Sequence, residues 1–74
     1  MNPKLSIFNI AGIIIRELKR SEILKYDELL SSIIKETNES SRELFIEANS
    51  FLFLLDKIEY LHDLDSLRLK NETK

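Results

Sequence analysis

The stretch Ser40-Ser-Arg-Glu-Leu-Phe-Ile-Glu-Ala-Asn-Ser-Phe-Leu-Phe-Leu-Leu-Asp-Lys-Ile-Glu-Tyr60 carries two periodicities, and the change between them separates a helix from a hairpin. From Ser41 to about Asp56, Leu44, Phe45, Ala48, Phe51, Leu52 and Leu55 recur every three or four residues. They fill a face about 120° wide, the pattern of a helix packed on a core. Ser40-x-x-Glu43 reads as a capping box, each side chain satisfying the other residue's free backbone N–H. Beyond Asp56 the period falls to two. Ile58 and Tyr60 alternate with Lys57 and Glu59, and Leu67 and Leu69 alternate with Arg68 and Lys70. The polar run His62-Asp-Leu-Asp-Ser66 between them favours a reversal, so a β-hairpin is predicted.

Working back from this stretch, Tyr26, Leu29, Leu30, Ile33 and Ile34 share one face of a helix predicted over Tyr26 to Glu36. Asp27 and Glu28 place negative charge in its first turn, and Thr37-Asn38-Glu39 ends it. Ser21-Glu-Ile-Leu-Lys25 is too short for more than a link or a one-bridge strand. Asn2-Pro3 is a helix start, with Asn as cap and Pro at the first helical position. From Lys4 to Arg20, Ile7, Ile10, Ala11, Ile14, Ile15 and Leu18 fill an arc of about 160°. Gly12, between apolar neighbours, is read as permitting close helix packing. Residues 71–74 read as a frayed tail. The order helix, link, helix, tight joint, helix, hairpin is that of a winged helix-turn-helix. The expected architecture is mainly α with a C-terminal β-hairpin, three helices plus a wing, in a single domain over residues 1–74.

Seventy-four residues bury a modest core, and such chains commonly draw stability from disulfides, metals or partners. With no cysteine, disulfides and thiolate metal sites are excluded, and a reducing, cytoplasmic compartment is expected. The run Ile10-Ala-Gly-Ile-Ile-Ile15 stops at Arg16, well short of the ~20 residues that span a bilayer. No signal pattern is read at the front. Partners remain the expected supplement, in a hetero-oligomer.

A helix-turn-helix presents its second helix to the major groove. Over Ser21 to Glu47, however, Lys25, Lys35 and Arg42 face Glu22, Asp27, Glu28, Glu36, Glu39, Glu43 and Glu47, a net of −4. Such a surface opposes the counterion release that drives duplex binding. Lys57, Arg68 and Lys70 on the wing allow at most a weak phosphate contact, against the plainer reading of a solvated hairpin face. Lys4, Arg16, Lys19 and Arg20, against Glu17, form a cationic cluster that reads as facing water.

The third helix holds more apolar residues than one core face needs. Ile46 and Phe53, seven residues apart, align opposite that face, bordered by Arg42, Asn49 and Ser50. An apolar stripe ringed by polar side chains suits a protein partner better than a base edge. A hairpin folded over the helix end, burying Phe53, is the competing reading. Ile13 leaves the arc of the first helix, Leu5 extends it, and Leu64 is an apolar knob at the hairpin tip. The candidate partner-binding residues are therefore Arg42, Ile46, Asn49, Phe53, Ile13 and Leu64. His62, Asp63 and Asp65 read as a solvated turn in preference to a metal site. No catalytic constellation, cofactor site or metal site is assembled, and no enzyme is expected.

The opening Asn2-Pro-Lys-Leu-Ser-Ile-Phe8, the helix through Ile13-Ile-Ile-Arg-Glu-Leu18, Phe51-Leu-Phe-Leu-Leu-Asp-Lys-Ile-Glu-Tyr60 and Leu67-Arg-Leu69 resemble the small middle components of bacterial ABC-three-component systems. The resemblance extends over nearly the whole chain. It implies a winged-helix subunit joining an SMC-like or related ABC ATPase to an effector enzyme, in Lamassu-like defence against phages or plasmids. The chain would be a non-catalytic adaptor, with ATP and DNA chemistry in its partners. A small winged-helix DNA-binding transcriptional regulator is the alternative, and a subunit akin to those that bind kleisins a third.

Overall fold

The computed structural model describes residues 6–70, and within them the element order is α1 (Ile7–Ser21), β1 (Ile23–Lys25), α2 (Tyr26–Glu36), α3 (Ser41–Leu54), β2 (Ile58–Leu61) and β3 (Ser66–Leu69), with a single 3-10 turn at His62–Leu64. Three helices and a small antiparallel sheet make a mainly α, winged-helix-like fold, as the hydrophobic periods predict. The expected start at Asn2-Pro3, the extension through Leu5 and the tail 71–74 lie outside the described residues.

Each helix end has a local cause. Ser6 caps α1, its Oγ accepting the Asn9 N–H at 3.1 Å. At the other end Glu22 adopts a φ of 67°, and its N–H reaches the Leu18 carbonyl at 2.8 Å. The Lys25 N–H donates to Glu28 Oε1 at 3.4 Å at the start of α2. The expected capping box at the start of α3 does not form. The Ser40 hydroxyl and N–H both donate to Asn38 Oδ1, the competing local turn that short polar side chains offer. The Ser41 and Arg42 N–H groups go instead to the carbonyls of Asn38 and Glu39. α3 closes two residues earlier than expected, at Leu54. Asp56 takes a φ of 62°, its N–H donating to the Phe53 carbonyl and that of Lys57 to the Leu52 carbonyl. This paired closure is a Schellman motif.

The sheet order is β1-β3-β2, so the link of residues 23–25 is a full edge strand rather than a single bridge. β3 pairs Leu67 with Leu24 on one side and with Tyr60 on the other, placing these three on one face. Arg68 lies between Ile23 and Glu59 on the opposite face. The wing is tied back to α2 by the Tyr26 N–H, which donates to the Asp65 carbonyl at 3.0 Å.

The core comprises Ile10, Ala11, Ile14 and Leu18 of α1, Leu29 and Ile33 of α2, Phe45, Ala48 and Leu52 of α3, and Ile58 and Leu67 of the wing. Tyr26 packs edge-on against Phe45, ring centroids 5.2 Å apart, a geometry that the ring quadrupoles favour. Gly12 does not permit close packing: it is exposed, and a Cβ built there would meet nothing within 4 Å. Ile13 is half-buried and packs against the core rather than lying outside it, so the packed surface of α1 is wider than its apolar arc predicts.

Candidate functional site

α3 is the element that a helix-turn-helix would offer to a groove, and its outward face is apolar and acidic. Ile46 is 53% exposed and Phe53 42% exposed, so the hairpin does not bury Phe53. Seven residues are close to two turns, which sets the two side chains in line. Glu43 and Glu47 stand exposed one turn apart on one flank and make no ion pair among the described residues. On the other flank the Arg42 guanidinium is held by Glu39 at 2.6 Å.

Asn49 does not border the stripe as an exposed residue. It is 4% exposed, and neither its Oδ1 nor its Nδ2 has a hydrogen-bond partner among the described residues. On the helical wheel it falls beside the core positions Phe45 and Leu52, where the packed elements reach further round α3 than the apolar pattern alone indicates.

The wing carries its cations in pairs. Arg68 Nε donates to Glu59 at 2.5 Å across the β2–β3 ladder, and Lys70 Nζ lies 2.8 Å from Asp56. The Asp56 carboxylate stabilises the ammonium and raises the Lys70 pKa above its ordinary value. Lys57 shares a shallow surface hollow with Ile15, Lys19, Leu69 and Lys70. The weak phosphate contact expected of Lys57, Arg68 and Lys70 is thus opposed at Arg68 and Lys70 by a carboxylate already in place.

At the wing tip Leu64 is exposed. The turn residues around it are engaged with one another. The His62 ring packs edge-on against Tyr60, and the Tyr60 hydroxyl donates to Asp65 Oδ1. That bond holds the phenol protonated and raises its pKa, the Asp65 carboxylate being the main cause. Among the described residues no group of three or more His, Cys, Asp or Glu is placed to hold a metal ion. No helix of the described residues is long and apolar enough to cross a membrane.

Apolar side chains outside the Ile46 and Phe53 stripe are exposed as well. Leu54 is 84% exposed, Leu55 and Phe8 are exposed with it, and Phe8 packs edge-on on Phe51 with centroids 5.5 Å apart. Phe8 lies outside the core arc of α1, a signal available in the sequence. Leu55 was expected in the core face, but α3 ends before it, so the helical spacing that placed it there no longer applies.

Fold and surface together define a small winged-helix-like module that presents apolar side chains on its nominal recognition helix. Residues 22–70, well over half of the chain, match the family model of ABC-three component (ABC-3C) system Middle Component 8, and the chain belongs to that family. It is therefore a component of such a system. The matched region takes in everything from Glu22 through the wing, whereas α1, which carried part of the sequence resemblance, lies before it. No curated protein and no solved structure matches the chain.

Proposed function

We propose that this middle component is a non-catalytic adaptor that joins an ABC ATPase to an effector enzyme in a bacterial anti-phage or anti-plasmid complex of Lamassu-like type. Its docking face is the outer side of α3, through Ile46 and Phe53, with Leu64 at the wing tip as a second contact. The observation that carries this reading is the exposure of Ile46 and Phe53 on the helix that would otherwise enter a DNA groove. Exposed aliphatic and aromatic side chains gain by burial against another protein, at roughly 25 cal/mol per Å² of apolar surface removed from water. Beside phosphates they gain nothing of the kind. The ion pairs of Arg42, Arg68 and Lys70 weigh in the same direction, since each guanidinium or ammonium would have to leave a carboxylate to meet a phosphate.

The test is co-expression of the tagged chain with the ATPase and effector encoded beside it. Ile46→Asp and Phe53→Asp are expected to abolish co-purification while circular dichroism shows the helices intact. If the helices are lost instead, the two residues are core. If the complex survives both changes, or the chain alone is retained on duplex DNA in a salt-sensitive way, the transcriptional-regulator alternative takes its place.

A further inference from the structure

Resting on that reading of α3, we propose that the partner segment seated there is a basic amphipathic polypeptide, apolar along its centre with Lys or Arg along the edge that meets Glu43 and Glu47. At 100° per residue Glu43 and Glu47 lie about 60° and 100° round the helix from Ile46, both on the same flank. Leu54 falls between them in angle and continues that flank toward the helix end. The face thus has an apolar lane of Ile46 and Phe53, an apolar end at Leu54, and two carboxylates beside its N-terminal half.

Those carboxylates are a charge that the free chain leaves unbalanced. Both are exposed, neither has an ion-pair partner among the described residues, and their one-turn spacing sets like charges close together. A cation from a partner removes that repulsion and adds attraction of its own. Glu39, just before α3, is already matched by Arg42, so within α3 the unbalanced charge lies on the flank of residues 43 and 47. Asn49, one turn from Ile46 and from Phe53, is buried behind this face, and its amide has no hydrogen-bond partner among the described residues. The same charges disfavour the other occupants. Phosphates of a duplex or of an anionic lipid surface would meet carboxylates, and a second copy placed across a two-fold axis would set the same acidic flanks near each other.

The experiment measures affinity of the full chain for the co-encoded ATPase and effector across salt, with circular dichroism as the folding control. The double charge reversal Glu43→Lys, Glu47→Lys is expected to weaken binding by about tenfold or more. Wild-type affinity is expected to fall severalfold between about 50 mM and about 500 mM NaCl, and the reversed chain to lose that dependence. Glu43→Gln, Glu47→Gln should fall between wild type and reversal. If Ile46→Asp abolishes binding while the reversed chain binds like wild type at every salt concentration, docking on α3 stands and the basic occupant is wrong. If Ile46→Asp leaves binding unchanged, the docking reading fails and the inference fails with it.

Discussion

Thr37 and Ser41 hold the joint between α2 and α3 through a hydroxyl–hydroxyl hydrogen bond of 2.6 Å. Its direction follows from what else Thr37 does. Thr37 Oγ1 donates its one proton to the Ile33 carbonyl at 2.6 Å, so the Ser41 hydroxyl must be the donor between the two side chains. Ser41 is fully buried, whereas Thr37 is half-buried. The two substitutions at this joint are therefore unequal. Thr37→Val leaves a buried Ser41 donor without an acceptor and is expected to cost about 1–3 kcal/mol. Ser41→Ala leaves the Thr37 bond to Ile33 in place and is expected to cost about 1 kcal/mol or less. Urea denaturation of both variants checks the order, and a larger loss for Ser41→Ala would overturn the assigned donor.

Gly12 sits inside α1, exposed, where a methyl group would meet nothing within 4 Å. Glycine in a helix interior gives up more backbone entropy than alanine. Gly12→Ala is expected to stabilise the chain by about 1 kcal/mol, read as a higher urea midpoint with an unchanged slope. A lower midpoint would mean that another group already occupies this space.

Arg16 and Glu36 join α1 to the end of α2 through two N–H···O bonds of 2.6 and 3.2 Å. The Arg16 guanidinium beside it holds the Glu36 carboxyl below the usual carboxylate range. A depressed folded pKa contributes stability that is present above the unfolded value and lost as pH falls through the folded one. The loss is thus expected on the acid side, below an unfolded glutamate value of about 4.3. Both partners are largely exposed, so the effect is screened. Thermal melts of wild type and Glu36→Gln over this window should converge as pH falls. Parallel curves would show that the pair does not distinguish the folded from the unfolded chain.

Among the described residues neither amide atom of the buried Asn49 has a hydrogen-bond partner, an arrangement that works against stability in the free chain. Replacing it with a leucine of similar shape removes the desolvation penalty, and Asn49→Leu is expected to raise stability by about 1 kcal/mol. A loss of stability in urea titration would show that the amide has a hydrogen-bond partner, such as water, in solution. A more stable chain with weakened partner binding would place the residue's use in the complex, a common trade between stability and function.

The helices and the wing were legible because hydrophobic period is a local property. Tyr26 to Glu36 could be delimited to the residue, since a continuous apolar face ends there against Thr37-Asn38-Glu39. The pairing of residues 23–25 with β3 was not legible. It joins Leu24 to Leu67, more than forty residues apart, and nothing within three residues announces a partner that distant. The surface residues divide in the same way. Ile46 and Phe53 are exposed where the wheel put them, while Asn49 was placed on the wrong side of the boundary between core and surface.

What the chain's order of residues determined alone was the three helices and the two strands of the wing, the outward stripe of Ile46 and Phe53, and the acidic balance of residues 21–47, because period and charge need no neighbour to exist. Tertiary structure alone decided how far the packed elements reach round each helix. That reach buried Asn49 and half-buried Ile13 while leaving Gly12 open, and the early close of α3 exposed Leu55. It also matched Arg68 with Glu59 and Lys70 with Asp56. Burial and ion pairing depend on which segments meet in space, and that is a property of the assembled fold.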